Sequence, residues 1–147
     1  MSDQKEEIYH RKLENMYHAA PINSKIKSRV QIDHKKAKIT IQVDPNYFHI
    51  ANALHGSIYF KALDDSCFFS ANSIVEDVFV LTTSFTTYLT RPVSSGTLIA
   101  EGKVVNENKT QIIAESVLKN EGREVGFGSG IFVKSKMKLN DIPEYKL

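Results

Sequence analysis

Apolar residues recur along this chain with two different periods. From residue 3 to about residue 20, Tyr9, Leu13, Met16, Tyr17 and Ala20 fall on one stripe, with Glu6, Glu7, Arg11, Lys12 and Glu14 elsewhere. That spacing predicts an amphipathic helix, and Pro21 predicts its end. The period then drops to two. Ile26, Ser28, Val30 and Ile32 predict one strand, and Ile39, Ile41 and Val43 the next, with Asp33-His34-Lys35-Lys36 as the hairpin turn. Residues 44–54 are irregular. From about Ser57 to Val75, helical spacing returns in Phe60, Leu63, Cys67, Ala71 and Ile74, and Ile58, Tyr59, Ala62, Phe68 and Phe69 fill the rest of that stretch. A helix this apolar around its circumference is expected to be buried on most sides.

Four further strands follow: about 79–88, 98–104, 112–118 and 125–133, separated by polar turns at 91–96, 106–109 and 120–123. Turns this short make antiparallel pairing of these strands, as a long meander, nearly obligatory. One sheet face must then bury the second helix, which predicts a single α+β domain with the sheet wrapped around one helix. The polar tail, from about residue 136, is expected to be loose.

Composition narrows the class. A net charge of +2 over 147 residues gives no footprint for a nucleic-acid partner. The single cysteine, Cys67, excludes an internal disulfide and suits a reducing compartment, so a cytoplasmic location is expected. The run Met1-Ser2-Asp3-Gln4-Lys5-Glu6-Glu7 is too polar for a signal peptide, and no apolar run approaches the ~20 residues of a membrane helix. No Cys pair or H-E-x-x-H points to a metal, and His49 and His55, six apart, precede a helix rather than lie on one. Neither a metal nor a resident cofactor is expected.

The sharpest anomaly is Asp64, a carboxylate flanked one turn away by Phe60 and Phe68. Two readings stand: an acid satisfied by hydrogen bonds, or an acid in use. Asp65 lies four residues after Lys61 and is expected to pair with it. His55-Gly56-Ser57 opens the same helix, where free N–H groups either favour a developing oxyanion or are capped by His55 or Ser57. Ser57 sits in no G-x-S-x-G elbow. Gly126, Gly128 and Gly130 alternate within a strand and share one face, which predicts close backbone approach there.

Together these residues resemble the hotdog-fold acyl-CoA thioesterases, with the phenylacetic-acid-degradation branch nearest. Asn52-Ala53-Leu54-His55-Gly56-Ser57 followed by Ala62-Leu63-Asp64-Asp65-Ser66 is similar to that family's signature, and the acid nine residues after the histidine is Asp64. Leu89-Thr90-Arg91-Pro92, Gly96 to Gly102 and Gly128 to Phe132 also match, so the resemblance covers roughly residues 25–135. Where the family carries a second glycine after the histidine, this chain has Ser57. Its glycine three before the histidine is Asn52, and its Asn or Gln six before falls on His49. The hydroxyl that some members place one turn after the acid is Phe68, but Thr82 matches the hydroxyl that others carry on the next strand.

The resemblance implies hydrolysis of a small or aryl acyl-CoA, with Asp64 as general base or nucleophile and Gly56 N–H on the thioester carbonyl. His49 or Asn52 would position water or substrate, alongside His55, Ser57, Thr82 and Arg91. It implies a homodimer, and commonly a homotetramer, with a site shared between two chains. A non-catalytic acyl-CoA-binding module is the alternative.

Overall fold

The computed structural model describes residues 3–147; Met1 and Ser2, the start of the polar N-terminal run, lie outside the described residues. Helix α1 spans Asp3–Ala19 and buries Tyr9, Leu13, Met16 and Tyr17, the expected stripe. Pro21 ends α1 and also opens a second, short helix, α2 (Pro21–Ile26). Proline suits the first helical position, where its missing N–H has no intrahelical acceptor to lose. Strand β1 is therefore shorter than expected, Arg29–Asp33, and Ile26 belongs to α2. Strand β2 (Lys36–Gln42) follows through a two-residue turn in which Lys35 adopts a left-handed φ of 61°.

The central helix α3 runs Gly56–Asn72, stopping three residues short of the expected end. Asn72 is fully buried and sends its side chain to the backbone of Val75, Val78 and Val80, which turns the chain into the next strand. Strands β3 (Val78–Leu89), β4 (Thr97–Glu107), β5 (Ile112–Asn120) and β6 (Arg123–Lys138) complete one antiparallel sheet in the order β1-β2-β4-β5-β6-β3. The sheet wraps α3 as the sequence pattern predicts. Gly102 of β4 is where the two touch most closely: a Cβ there would stand 2.3 Å from the Ser66 carbonyl oxygen. The glycine face of β6 also points inward. Phe85 of β3 occupies the space, and a Cβ on Gly128 or Gly130 would meet its ring at 2.8 or 2.5 Å.

The expectation of a loose tail is overturned. Strand β6 continues to Lys138, pairing with Val78, and Leu139 beyond it is buried. Ile142 and Tyr145 pack on the core, Tyr145 lies edge-on to Tyr9, and Asn15 Nδ2 donates to the Lys146 carbonyl at 2.8 Å. The tail reads as polar because its apolar residues are widely spaced, but Leu139, Ile142 and Tyr145 each meet α1 or the core, while Met137 and Leu147 stay exposed.

The two sheet edges differ. On β1, the Val30 N–H donates to His18 Nε2 (3.1 Å), the Ile32 N–H to Glu14 Oε2 (2.7 Å), and Arg11 Nη2 donates to the Ile32 carbonyl (2.6 Å). Helix α1 thus closes that edge. Strand β3 forms the other edge over 12 residues, with Leu81, Tyr88 and Leu89 exposed.

Candidate functional site

Helix α3 is not buried on every side. Cys67 and Ala71 are wholly enclosed, but Asp64 and Phe68 face a cleft, and Phe60 one turn earlier is 42% exposed. Asp64 is half-buried there, and Thr82 Oγ1 donates to its Oδ1 at 3.0 Å. An irregularity in the β3–β6 ladder between Thr82 and Ser84 inserts Thr83 as an extra residue. Such bulges re-aim the side chains beside them, here Thr82 and Phe85. Burial pushes the Asp64 carboxyl up to about 6; the Thr82 hydrogen bond opposes this, the Asp65 charge adds to it and Lys61 opposes it. A carboxylate with that affinity is ionised at neutral pH yet a better proton acceptor than an exposed one.

Asp65 is committed elsewhere, as its spacing to Lys61 predicts. It accepts from Tyr17 Oη and from Lys61 Nζ, each at 2.7 Å. Lys61 Nζ also donates to Asn23 Oδ1 at 2.6 Å, so this group ties α1 and α2 to α3. Beside Asp64 opens a cavity of about 450 Å³, lined by Phe68, Phe79 and Thr82 on one side and by the α1–α2 corner on the other. Cys67 offers no nucleophile, because burial pushes its thiol well above the ordinary range.

The other group lies at the start of α3. His55 caps the helix: its Nδ1 accepts from the Ser57 N–H at 3.1 Å, and the Ser57 hydroxyl lies 2.8 Å from the same nitrogen. Two donors on Nδ1 leave the ring proton on Nε2. The Gly56 N–H has no hydrogen-bond acceptor among the described residues. Gly56, His49 and Arg91 line a second cleft of about 320 Å³. His49 Nδ1 accepts from the Ala51 N–H at 3.1 Å. Asn52 takes a left-handed φ of 63° in the same turn, which explains the departure at this position: asparagine is among the residues best able to replace a glycine there.

The structure therefore joins Asp64 with Thr82, and Gly56 with His49 and Arg91, but keeps the two groups apart in one chain. The side chains of Asn52, His55 and Ser57 border neither cleft as lining residues. Eight helical positions separate Gly56 from Asp64, about 12 Å at ~1.5 Å per residue. The sequence pattern did not single out Phe79, Ala19, Ile22 or Ile142 as cavity residues, because they come from segments far apart in the chain. Among the described residues, no group of three or more His, Cys, Asp or Glu is placed to hold a metal ion, and no helix is long and apolar enough to cross a membrane.

Comparison with known proteins agrees with this geometry. The family model described as the thioesterase superfamily matches residues 51–127, just over half of the chain, which include Asp64, Thr82, Gly56 and Arg91 but not His49. No curated protein matches in sequence. Among solved structures, the chain is similar to the Escherichia coli PaaI protein from the phenylacetic acid degradation operon, at 18% identity and a TM-score of 0.79, over 89% of this chain and 98% of that one. A thioesterase family protein from Silicibacter pomeroyi aligns at 20% identity and a TM-score of 0.77, over 85% and 96%. A phenylacetic acid degradation-related protein from Ralstonia eutropha JMP134 aligns at 14% and 0.74, over 85% and 98%. The helix-in-sheet arrangement is the hotdog fold.

Proposed function

The chain belongs to the thioesterase superfamily, and from that premise we propose that it hydrolyses a small or aryl acyl-CoA to the free acid and CoA. One observation carries this reading: a half-buried carboxylate, Asp64, oriented by Thr82 on the open face of the central helix beside an apolar cavity. As general base, Asp64 takes a proton from water while the water oxygen attacks the thioester carbon. The carbon–sulfur bond then breaks, and the CoA sulfur leaves with a proton. Direct attack by Asp64, followed by hydrolysis of the anhydride, is the other route open to the same carboxylate. The developing oxyanion needs a donor, and the unengaged Gly56 N–H at a helix N-terminus is one.

Asp64 and Gly56 of one chain cannot reach one carbonyl, so the site is shared: Asp64 from one protomer faces Gly56, His49 and Arg91 of its partner. The open β3 edge supports side-by-side pairing of two sheets, since a long unpaired edge readily takes up another strand and the β1 edge is closed by α1. Arg91, exposed at the Gly56 cleft, would meet CoA phosphates. His49 would position water or substrate, with Asn52, His55 and Ser57 holding the loop beside it. A tetramer of two such dimers and a cytoplasmic location complete the proposal, which needs no cofactor beyond the CoA of the substrate.

The test compares Asp64→Asn with Asp65→Asn on acetyl-, hexanoyl-, phenylacetyl- and benzoyl-CoA. Loss of a general base costs roughly 100- to 10,000-fold in rate, and that loss is expected for Asp64→Asn alone. Tight acyl-CoA binding by the wild type with no turnover of any substrate would favour the binding module instead.

A further inference from the structure

The cavity beside Asp64 is built from three parts of the chain. Its floor is aromatic: Phe68 packs against Phe79 with ring centroids 5.0 Å apart, and both rings are only half-buried, so each leaves surface open to the cavity. Ala19 and Ile22 of the α1–α2 corner form a second wall, and Ile142, beyond β6, a third. Asp64 and Thr82 stand at the polar end. The volume, about 450 Å³, lies within the roughly 300–1,000 Å³ usual for small-molecule sites.

The second and third walls are fixed in place. Lys61 bridges Asp65 and Asn23, and Asn23 Nδ2 donates back to the Tyr17 carbonyl at 2.7 Å, which clamps the corner onto α3. The C-terminal segment is held by Tyr145 against Tyr9 and by Lys12, whose Nζ lies 5.5 Å from the Tyr145 ring centroid. These bonds also occupy Lys61, Asp65 and Asn23 with one another, so the cationic and acidic groups of the corner are already paired. What remains to recognise a ligand along these walls is apolar apart from the exposed Glu144 carboxylate of the C-terminal segment, which would repel an anionic acyl group.

Resting on the reading that Asp64 is the reacting carboxylate, we propose that the α1–α2 corner and the C-terminal segment form the specificity wall of the acyl site. They select an uncharged, apolar acyl group of medium length or with one ring, in preference to acetyl. Ala19, Ile22 and Ile142 set how much of that group fits; Phe68 and Phe79 form the surface on which it lies.

Calorimetric titration with CoA thioethers, which have no carbonyl to hydrolyse, reads this selection independently of turnover. S-hexyl-CoA carries four more methylenes than S-ethyl-CoA, and each buried methylene is worth about fourfold in affinity. The wild type is expected to bind S-hexyl-CoA more tightly by a factor on the order of 100. Ala19→Trp and Ile22→Trp place a large ring at the wall from positions that are exposed, so both are expected to fold, as an unchanged unfolding midpoint would verify. The hexyl-to-ethyl ratio should collapse at least tenfold in one or both. Equal affinity for the two thioethers in the wild type, no binding of either, or a ratio that neither tryptophan alters would overturn the wall. Thioester turnover with a flat ratio removes the specificity wall and leaves the hydrolase reading standing. A steep ratio without turnover of any acyl-CoA does the reverse.

Discussion

Asp64 combines two properties that pull against each other. Burial raises its proton affinity to about 6, which makes it a useful base, and the same burial makes its charged form costly to the fold. As a base it must be ionised, so kcat/KM should climb with pH through a limb centred near 6. Thr82→Val removes the donor that favours the anion and should move that limb to higher pH; a pH–rate profile that does not move would remove Thr82 from its orienting role. The stability consequence has the opposite sign. Between the ordinary value of 3.8 and about 6, the folded state binds more protons than the unfolded one, so stability falls as pH rises through that window. Above it the cost is fully present. Asp64→Asn should therefore unfold at a higher temperature than wild type at pH 7.5, by the equivalent of about 1–3 kcal/mol, while losing activity. Gly56 permits a cleaner separation. It occupies the first helical position, where proline is well tolerated, and His55 before it is already extended at φ −65°, ψ 141°. Gly56→Pro deletes the N–H while adding a ring at a position that tolerates it, and should cost roughly 100- to 1,000-fold in kcat. Gly56→Ala, whose Cβ meets only the flexible end of Leu89, should retain most activity.

At the scale of elements, the position of α3 depends on how closely β4 approaches it. Gly102 lies under the Ser66 carbonyl, and Ser66 Oγ is bonded across to Ser116 Oγ on β5 at 2.6 Å. A methyl group at Gly102 strikes backbone, which cannot rotate away, so helix and strand must separate. Gly102→Ala should destabilise by about 1–3 kcal/mol or more, read as a lower thermal midpoint. Because such a shift would displace Asp64 from Thr82, activity should fall with it. Much at this scale was legible beforehand: the two helices, the β1–β2 hairpin and the β4–β5–β6 run follow from a change of period and from turn residues, but β3, expected beside β4 in a four-strand meander, instead crosses to the far edge and pairs with β6 while β4 pairs with β2. The errors have local causes. Pro21 ends one helix and starts another, a distinction that a stop signal does not carry. The tail's apolar residues are spread among polar ones, so no local pattern marked Leu139, Ile142 and Tyr145 for the core.

At the scale of the whole molecule, the proposed site is divided by the length of a helix and would be completed by a second copy. Mixing Asp64→Asn with Gly56→Pro checks this directly. Each variant alone should be nearly inactive, whereas a mixed dimer contains one doubly damaged site and one intact site. With statistical exchange of subunits, about a quarter of wild-type activity should return. No recovery, with exchange verified by a tagged subunit, would mean that each chain carries its own complete site.

Local order determined what could be seen without the fold. Hydrophobic period marked the helices and strands, and a carboxylate out of place on an apolar stripe marked Asp64. The i,i+4 spacing separated Asp65 from it by giving Lys61 a partner. Only the tertiary structure decided that the stripe bearing Asp64 is open rather than enclosed, and that Thr82, which the resemblance had already singled out, donates to Asp64. It also decided that the chain's two ends wall the neighbouring cavity and that one sheet edge is sealed while the other is free. The reason is the same in each case. These features depend on contacts between residues tens of positions apart, and periodicity reports only on neighbours within a turn or a pleat.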